Sequence, residues 1–571
     1  MCLNTLLQYE RELMMGPLLL ALSVSIALRT ESALVRPDHR PDDASKNIPW
    51  KEYVPQTEGL KSSRGQPGPS ERQSDPKKPT NVVMILADDM GWNDASFHGS
   101  AEIPTPNLDA LASSGVILQS HYAQPMCTPT RAALLTGLYP FHTGMQNFVI
   151  RTGEPWGLPL DYKILPHYLD EAYYHSHLVG KWHLGMHNPA FLPTARHFNT
   201  HVGYYNGFID YFTHEHISVS SFSAMPGNDS LIGLDWHINE ENENEEGYAT
   251  HLFTKRAVNL IENHKSTEPL FILLSHLAPH AGCKRDPFQA RIPIDIAPRE
   301  SIEKFAHIKD QNRKVYAAMV DELDQSVGQV VEALYRKRLL DSTMIVFLSD
   351  NGGQTTGVMN NTGSNYPFRG QKRTLFEGGT RVSAFVWSTD IVKKPRIESG
   401  LMHVTDWLPT ILKRAGLSYP RELDGRDQWS MLSEGAPSAR AEVLYNLNYV
   451  DQSAALRNDR FKLIVGPRNG VSLLNDWDQL HKGKHSRAQL DGMMDESLTA
   501  RTLKEAGLWW KMRHGDTLSA DHSTWRDKAE IKCGSHDKTL CDVHRSPCLF
   551  DLENDPCELN NVIAKYPAVS H

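Results

Sequence analysis

Asn81 to Ala87 reads NVVMILA, an unbroken apolar run that ends at once in Asp88-Asp89. A strand apolar at every position has no face to offer water, so it belongs in the middle of a parallel sheet covered on both sides. The arrangement recurs. His175 to Gly180 precedes Lys181-Trp182-His183, Leu270 to Ser275 precedes Pro279-His280, and Thr343 to Ser349 precedes Asp350-Asn351-Gly352, while Val382 to Trp387 is a further run of the same kind. Between these runs lie helical stripes. The clearest is Val315 to Leu334, where Tyr316, Met319, Val320, Leu323, Val327, Val330, Val331 and Leu334 share a face, and His251 to His264 reads similarly. Alternating strands and helices predict an α/β fold, a mainly parallel sheet sandwiched by helices. Its polar groups gather at one end of the strands, where open sheets of this class place their ligands.

Those polar groups have a definite chemistry. Asp88, Asp89, Asp350 and Asn351 offer only oxygen, a set suited to calcium or magnesium rather than zinc. Adjacent carboxylates also occur as plain strand or loop caps, but a buried pair repels itself and asks for a cation. A bound anion needs more positive charge, available from Arg131, Lys181 and Lys372, and His183 and His280 can move protons near neutral pH. Singly, each has an ordinary reading as a solvated lysine or a hydrogen-bonded structural histidine. The signal is their joint occurrence after strand ends.

The stretch from Pro125 to Gly137 adds a cysteine. Pro129 suits a first helical position, Ala132 to Leu135 are good helix formers and Gly137 can end the run. Cys127 then sits at the mouth of a short helix, where free N–H groups favour an anion, with Arg131 one turn on along the same face. Taken alone, Cys127 reads as a buried or disulfide-bonded cysteine.

Taken with its neighbours, Cys127-x-Pro129-x-Arg131 followed by Leu135-Thr136-Gly137 resembles the signature of the type I sulfatases. The usual pattern has Ser where this chain has Thr130 and a basic residue where it has Leu138. Further stretches resemble landmarks of that family in its order: Asp88-Asp89-Met90-Gly91, Pro104 to Asp109, Gly180 to Gly185, Asp350 to Gly353, Arg369 to Lys372, Phe376 to Gly379 and Thr405 to Thr410. The likeness runs from about residue 80 to 466, resumes near 548, and is strongest to the arylsulfatase B-like branch, the N-acetylgalactosamine-4-sulfatase group.

The resemblance implies an alkaline-phosphatase-like α/β fold and a calcium-dependent hydrolase of sulfate esters. Its substrates would be sulfated sugars or glycosaminoglycan, or small aryl and alkyl sulfates. One calcium ion would be bound by Asp88, Asp89, Asp350 and Asn351, with the modified Cys127 beside it. The formylglycine-generating enzyme would oxidise Cys127 before folding to formylglycine (3-oxoalanine), which hydrates to a diol. One hydroxyl would attack sulfur, Arg131 would hold the diol, and Lys181 and Lys372 would neutralise the sulfuryl oxygens. His280 would protonate the leaving oxygen. His183 would take the proton of the second hydroxyl as sulfate departs. Two other readings stand beside this one: a metal-dependent phosphatase or phosphodiesterase on the same kind of fold, and a non-catalytic binding protein that retains it.

Composition bounds the rest. A net charge of −9 over 571 residues gives no case for nucleic acid as a partner. Met14 to Leu28 is the only long apolar run, too short for a comfortable membrane span, so residues 1–28 read as a signal peptide, with an uncleaved anchor as the alternative. Residues 29–80 read as a flexible leader and 81–440 as the catalytic domain. From 441 to 571 a smaller α+β domain is expected, built on short antiparallel strands at Glu442 to Asn446, Ala454 to Arg457 and Phe461 to Val465, with a polar insertion near 470–540 and a return at Cys548 to Asp551. Gly203 to Glu246 is expected to shape the pocket. Cys283, Cys533, Cys541, Cys548 and Cys557 read as disulfide formers with one left over, because their spacing is not that of paired zinc ligands. With sequons at Asn228 and Asn360, they point to the secretory pathway, lysosomal or extracellular.

Overall fold

In a computed structural model, the structure describes residues 80–218, 231–282, 296–355, 361–467, 483–510, 524–534 and 541–569. The signal-peptide run, the leader, Cys283 and both sequon asparagines, Asn228 and Asn360, lie outside the described residues.

The main sheet has ten strands. In chain order they are β1 (Asn81–Ala87), β2 (Val116–Leu118), β3 (His175–Lys181), β4 (Thr200–Tyr204), β5 (His237–Ile238), β6 (Glu241–Asn242), β7 (Leu270–Ser275), β8 (Thr343–Ser349), β9 (Ala384–Ser388) and β10 (Arg396–Glu398). Across the sheet the order is β10-β2-β9-β8-β1-β7-β3-β4-β5-β6. The five central strands, β8, β1, β7, β3 and β4, run parallel, and the apolar runs of β8, β1 and β7 suit a sheet covered on both faces. The run expected at Val382 to Trp387 forms β9, which is antiparallel to β8, so its C-terminal end points away from the other tips.

β1 shows why its interior positions admit no polar residue. Val83, Ile85 and Ala87 face the layer that holds α1 (Pro106–Ser114), α3 (Ala249–Asn263) and α4 (Gln311–Arg336). Val82, Met84 and Leu86 face the layer that holds α2 (Cys127–Thr136) and α5 (Trp407–Arg414). α3 and α4 fall on the two helical stripes read from the sequence, extended by a few residues at the caps. The parallel register brings the strand tips level, pairing Ala87 with Ser349, Leu86 with Ser275, and Ser275 with Gly180. At the last of these, only glycine fits: a Cβ on Gly180 would lie 1.9 Å from the Ser275 carbonyl oxygen, and its φ is +105°.

A second sheet is antiparallel, in the order β11 (Glu442–Asn448), β12 (Ser453–Asn458), β13 (Phe461–Val465), β14 (Cys548–Asp551). Between β13 and β14 the chain leaves this sheet. α6 (Arg487–Glu496) and α7 (Leu498–Glu505) pack on α1, with α7 also on α4, and Met494, Ala500, Leu503 and Trp525 enter the main core. The polar segment thus belongs, where described, to the helical layer over the main sheet. Ser486 and Gln489 form a capping box that starts α6, a local signal that the many charges of the segment obscure. Cys533 pairs with Cys557 and Cys541 with Cys548. No helix among the described residues is long and apolar enough to cross a membrane.

The small sheet is fastened to the main body by a buried charge. Lys462 of β13 is fully buried, with Nζ 2.8 Å from Glu377 and 3.0 Å from Glu558. Glu377 also accepts the Tyr122 hydroxyl at 2.8 Å, and its N–H donates to Glu558 at 2.7 Å. Removing one partner of such a cluster leaves uncompensated charge without water. Lys462→Met is expected to lower unfolding free energy by about 3–5 kcal/mol, read as a fall in the urea midpoint at unchanged slope. A midpoint equal to that of the parent chain would show the cluster to be energetically neutral.

Candidate active site

α2 starts two residues earlier than the position of Pro129 suggests. Met126 is the N-cap, Cys127 the first helical residue, and Thr130 N–H donates the first helical bond to Met126 O at 3.1 Å. Pro129 therefore falls third, still among the positions whose N–H has no helical partner, which is why it is tolerated there. Gly137 ends the helix at φ +69°. The Thr130 hydroxyl accepts the Gln124 N–H at 3.0 Å and reaches back to Gln124 O at 3.3 Å, closing the loop that presents Cys127. Serine would place the same hydroxyl, so the departure at Thr130 preserves this closure.

The structure brings Asp88, Asp89, Cys127, Arg131, Lys181, His183, His280, Asp350, Asn351 and Lys372 to one end of the parallel strands, all of them buried. Arg131 donates to Asp350 Oδ2 at 2.9 Å and to the Lys181 carbonyl at 3.2 Å, touches the Ser275 hydroxyl, and lies 3.9 Å from Asp88. Lys181 Nζ is 2.7 Å from Asp88 Oδ2, and Lys372 Nζ is 2.6 Å from Asp89 Oδ1. Asn351 donates to Asp89 Oδ1 at 2.7 Å, and Asp89 N–H donates to Asp350 Oδ1 at 3.2 Å. Asp89 and His183 both adopt left-handed backbone, at φ 61° and 59°, a strain that clusters at functional positions.

Two observations bear on a cation. Asp88 Oδ1 and Asn351 Oδ1 are buried without a hydrogen-bond partner, although each is a strong acceptor. Ligand atoms of Asp88, Cys127 and Asp350 lie within 4.8 Å of one another, as do those of Asp88, Asp89 and His280. The oxygen set of Asp88, Asp89, Asp350 and Asn351 fits a hard divalent ion such as calcium. Three carboxylates against Arg131, Lys181 and Lys372 are formally neutral, so a divalent ion would make the site positive and ready for an anion.

Protonation follows from burial and neighbours. Burial and the adjacent Asp350 push Asp88 up to about 8, against the pull of Lys181 and Arg131. Burial would raise Asp89 too, but Lys372 and His280 outweigh it and hold it at about 2. Burial drives His280 down to about 3 and His183 well below its usual value, the latter helped by Lys181 and Arg131. Both rings are thus neutral. His183 Nε2 lies 2.9 Å from Ile150 O, which fixes the proton on Nε2 and leaves Nδ1 a buried acceptor without a partner. His280 Nδ1 lies 2.7 Å from Ala281 O, so its Nε2, 3.5 Å from Asp89 Oδ2, is the free nitrogen. Burial raises the Cys127 thiol, and a neutral thiol is a poor nucleophile.

Above this floor a pocket is lined by Cys127, His183, His280 and Lys372, with Phe148, Ile150 and Phe208 as apolar walls. Gly207, Phe208, His216 and Ile217 come from the segment expected to shape it. Sequence reasoning missed Thr128, whose hydroxyl ties His183 O to Ile150 N–H at 3.1 and 3.3 Å. It also missed Ser275 beneath Arg131, and Phe148 and Arg373 at the rim. Ser275 could have been found as the polar terminus of an apolar strand; the rim residues carry no periodic signal.

Comparison with known proteins covers the same part of the chain. The family described as Sulfatase matches residues 80–417, which hold every clustered residue. Arylsulfatase J of Mus musculus is 39% identical over 373 residues, 64% of this chain and 58% of its own length. N-acetylgalactosamine-6-sulfatase of Canis lupus familiaris is 31% identical over 369 residues, 61% of this chain and 65% of its own length. The match thus spans less than two thirds of either relative. Among solved structures, Ps i-CgsB in complex with k-i-k-neocarrahexaose aligns with a TM-score of 0.59 at 28% identity, over 79% of this chain and 96% of that one. With more than half of its length matched and the site inside the match, the chain belongs to the sulfatase family.

Proposed function

We propose that this chain is a calcium-dependent sulfatase. It hydrolyses sulfate esters of sulfated sugars or glycosaminoglycan, or of small aryl or alkyl alcohols, through formylglycine (3-oxoalanine) derived from Cys127. The observation that carries this reading is the convergence of Cys127 with a formally neutral set of three buried carboxylates and three buried cations in one pocket. The names of the arylsulfatase and N-acetylgalactosamine-6-sulfatase relatives support it, and the saccharide in the neocarrahexaose complex supports a sugar substrate. The raised thiol of Cys127 argues against the unmodified residue as nucleophile, and a phosphatase of related fold would use serine or threonine there.

Formylglycine, installed by the formylglycine-generating enzyme, supplies as its hydrate an oxygen nucleophile together with a second hydroxyl for release of sulfate. Calcium would be held by Asp88, Asp89, Asp350 and Asn351 and would supply positive charge to the site. The chain's own groups do the rest. Arg131 fixes Asp350 and would hold the diol. Lys181 and Lys372 offset negative charge as it builds on the sulfuryl group. His280, anchored through Nδ1–H, leaves Nε2 without a proton in the resting chain; to act as an acid toward the leaving oxygen it must first take one up there, a charged form that Asp89 at 3.5 Å favours. His183, anchored through Nε2, takes a proton at Nδ1. We further propose that residues 81–440 form the catalytic domain, with 441–571 a smaller region whose strands make the second sheet and whose helices α6 and α7 join the main core. Maturation would take place in the secretory pathway, on the way to the lysosome or the exterior.

In protein secreted by a eukaryotic cell, the tryptic peptide holding Cys127 should carry an aldehyde or its hydrate by mass, and the protein should release sulfate from an aryl sulfate. An unmodified thiol in well-folded secreted protein would sink the mechanism and favour a binding role. Chelation should abolish turnover, calcium should restore it, and added calcium should raise the melting temperature, because a ligand of the native state stabilises it. A melting temperature indifferent to calcium would remove the ion from the site. His280→Ala should lower kcat by about 10²- to 10⁴-fold on an alkyl sulfate, as is usual for loss of a general acid. The loss should be much smaller on a sulfate ester of an acidic phenol, whose leaving oxygen needs no proton. Equal losses on both would deny His280 the donor role.

A further inference from the structure

A second cleft adjoins the pocket and shares Met126, Phe148 and Arg373 with it. Its far wall comes from the small sheet and the chain around it, including Asn446, Ile464 and His544. A chain-like ligand seated in the pocket would therefore enter this cleft with its next unit.

Two side chains in the cleft lack partners. Arg373 is held in left-handed backbone at φ 78°, with its N–H donated to Pro125 O at 2.8 Å, so it is fixed to the loop that carries Cys127. Its guanidinium lies over the Phe148 ring, 5.3 Å from the centroid, and makes no ion pair or side-chain hydrogen bond among the described residues. This sets it apart from Arg131, which is held by Asp350. The carboxylate nearest in chemistry, Asp451, also lines the cleft but is engaged by the hydroxyl and N–H of Ser453 at 2.6 and 3.1 Å. Gln146 is 8% exposed and its Oε1 is buried without a donor, while its backbone is pinned by Asn446 Nδ2 donating to Gln146 O at 3.0 Å. A buried acceptor without a partner is unfavourable, and a turn of the Gln146 amide toward the cleft it lines would bring it to a ligand hydroxyl. Phe148 lines both cavities and adds apolar surface between them.

We propose that this cleft is a binding subsite for the sugar next to the sulfate-bearing one. Arg373 takes an anionic group on that neighbour, a carboxylate or a second sulfate, and Gln146 Oε1 takes one of its hydroxyls. The proposal rests on the sulfatase reading in placing the sulfated ring in the pocket. It names an acidic saccharide, rather than an isolated small sulfate ester, as the ligand the site is shaped for. Arginine suits the role because its planar fork matches both carboxylate and sulfate.

The test separates binding from turnover. Using the full chain carrying Cys127→Ser, calorimetry would compare a sulfated monosaccharide with disaccharides whose second sugar is neutral, a uronic acid, or itself sulfated. The acidic neighbours should tighten binding by about 10-fold or more over the monosaccharide, the scale of one charge-assisted bidentate pair. The uronic-acid and sulfated arms tell which anion is preferred. Arg373→Ala should remove that advantage, Arg373→Lys should keep part of it, and Gln146→Leu should weaken every disaccharide by about 3- to 10-fold while sparing the monosaccharide. An advantage that is absent, or that survives both Arg373→Ala and Gln146→Leu in variants with parental melting temperatures, overturns the subsite. Sulfate release from an aryl sulfate by the unmutated chain is measured in parallel. If it fails while the advantage persists, the subsite stands and the sulfatase reading falls; turnover without the advantage has the opposite meaning.

Discussion

Three carboxylates buried at the tips of adjacent parallel strands constrain everything around them. Asp88 and Asp89 leave β1 and Asp350 leaves β8, and the register that pairs Ala87 with Ser349 makes their proximity unavoidable. In a water-free setting such a group is unfavourable unless cations reach it. Each cation arrives by a different route. Lys181 ends β3, Arg131 projects from α2, and Lys372 comes from a loop with no regular structure. The charge balance therefore ties together parts of the chain that share no local interaction, and each part is fixed by a separate device.

Those devices extend well beyond the site. Gly180 lets β3 press against β7, which brings Lys181 level with Asp88. Thr130 closes the loop before α2. The Lys372 loop is followed directly by Glu377, whose carboxylate is clamped by Lys462 of the small sheet and whose N–H is held by Glu558. The small sheet is thus a support for one lysine of the site, and it also supplies the far wall of the adjoining cleft. Its cysteine-rich end adds covalent reinforcement close to Glu558, through Cys533–Cys557.

Much of the site was legible because it is written at strand ends. An unbroken apolar run fixes a central strand, and the polar residues that follow it have nowhere to go but the ligand edge; this located Asp88, Asp89, Lys181, Asp350 and Asn351. His183 and His280 were legible only through their place after such runs, since a histidine carries no periodicity. The start of α2 was misjudged by two residues because proline is tolerated through the first turn, not only at its first position. The antiparallel direction of β9 was hidden because a buried strand reads alike in either direction. Residues 483–510 were obscure because their helices bury only narrow stripes, Leu490 and Met494 in one and Ala500 and Leu503 in the next, amid many charges. Gln146 and Arg373 lie in irregular loops, where position depends on contacts from distant parts of the chain and no local pattern foretells it.

The seal over Cys127 sets a timetable for biosynthesis. The residue is 2% exposed once the fold is complete, so any enzyme that alters it must meet the segment before closure. The lysine loop beside it gains its last clamp from Glu558, near the end of the chain. A ribosome adding about 5–20 residues per second takes roughly 20–90 s to travel from one to the other. The segment just beyond the last strand is therefore also the latch. The long polar stretch ahead of it lengthens the interval in which the cysteine remains within reach.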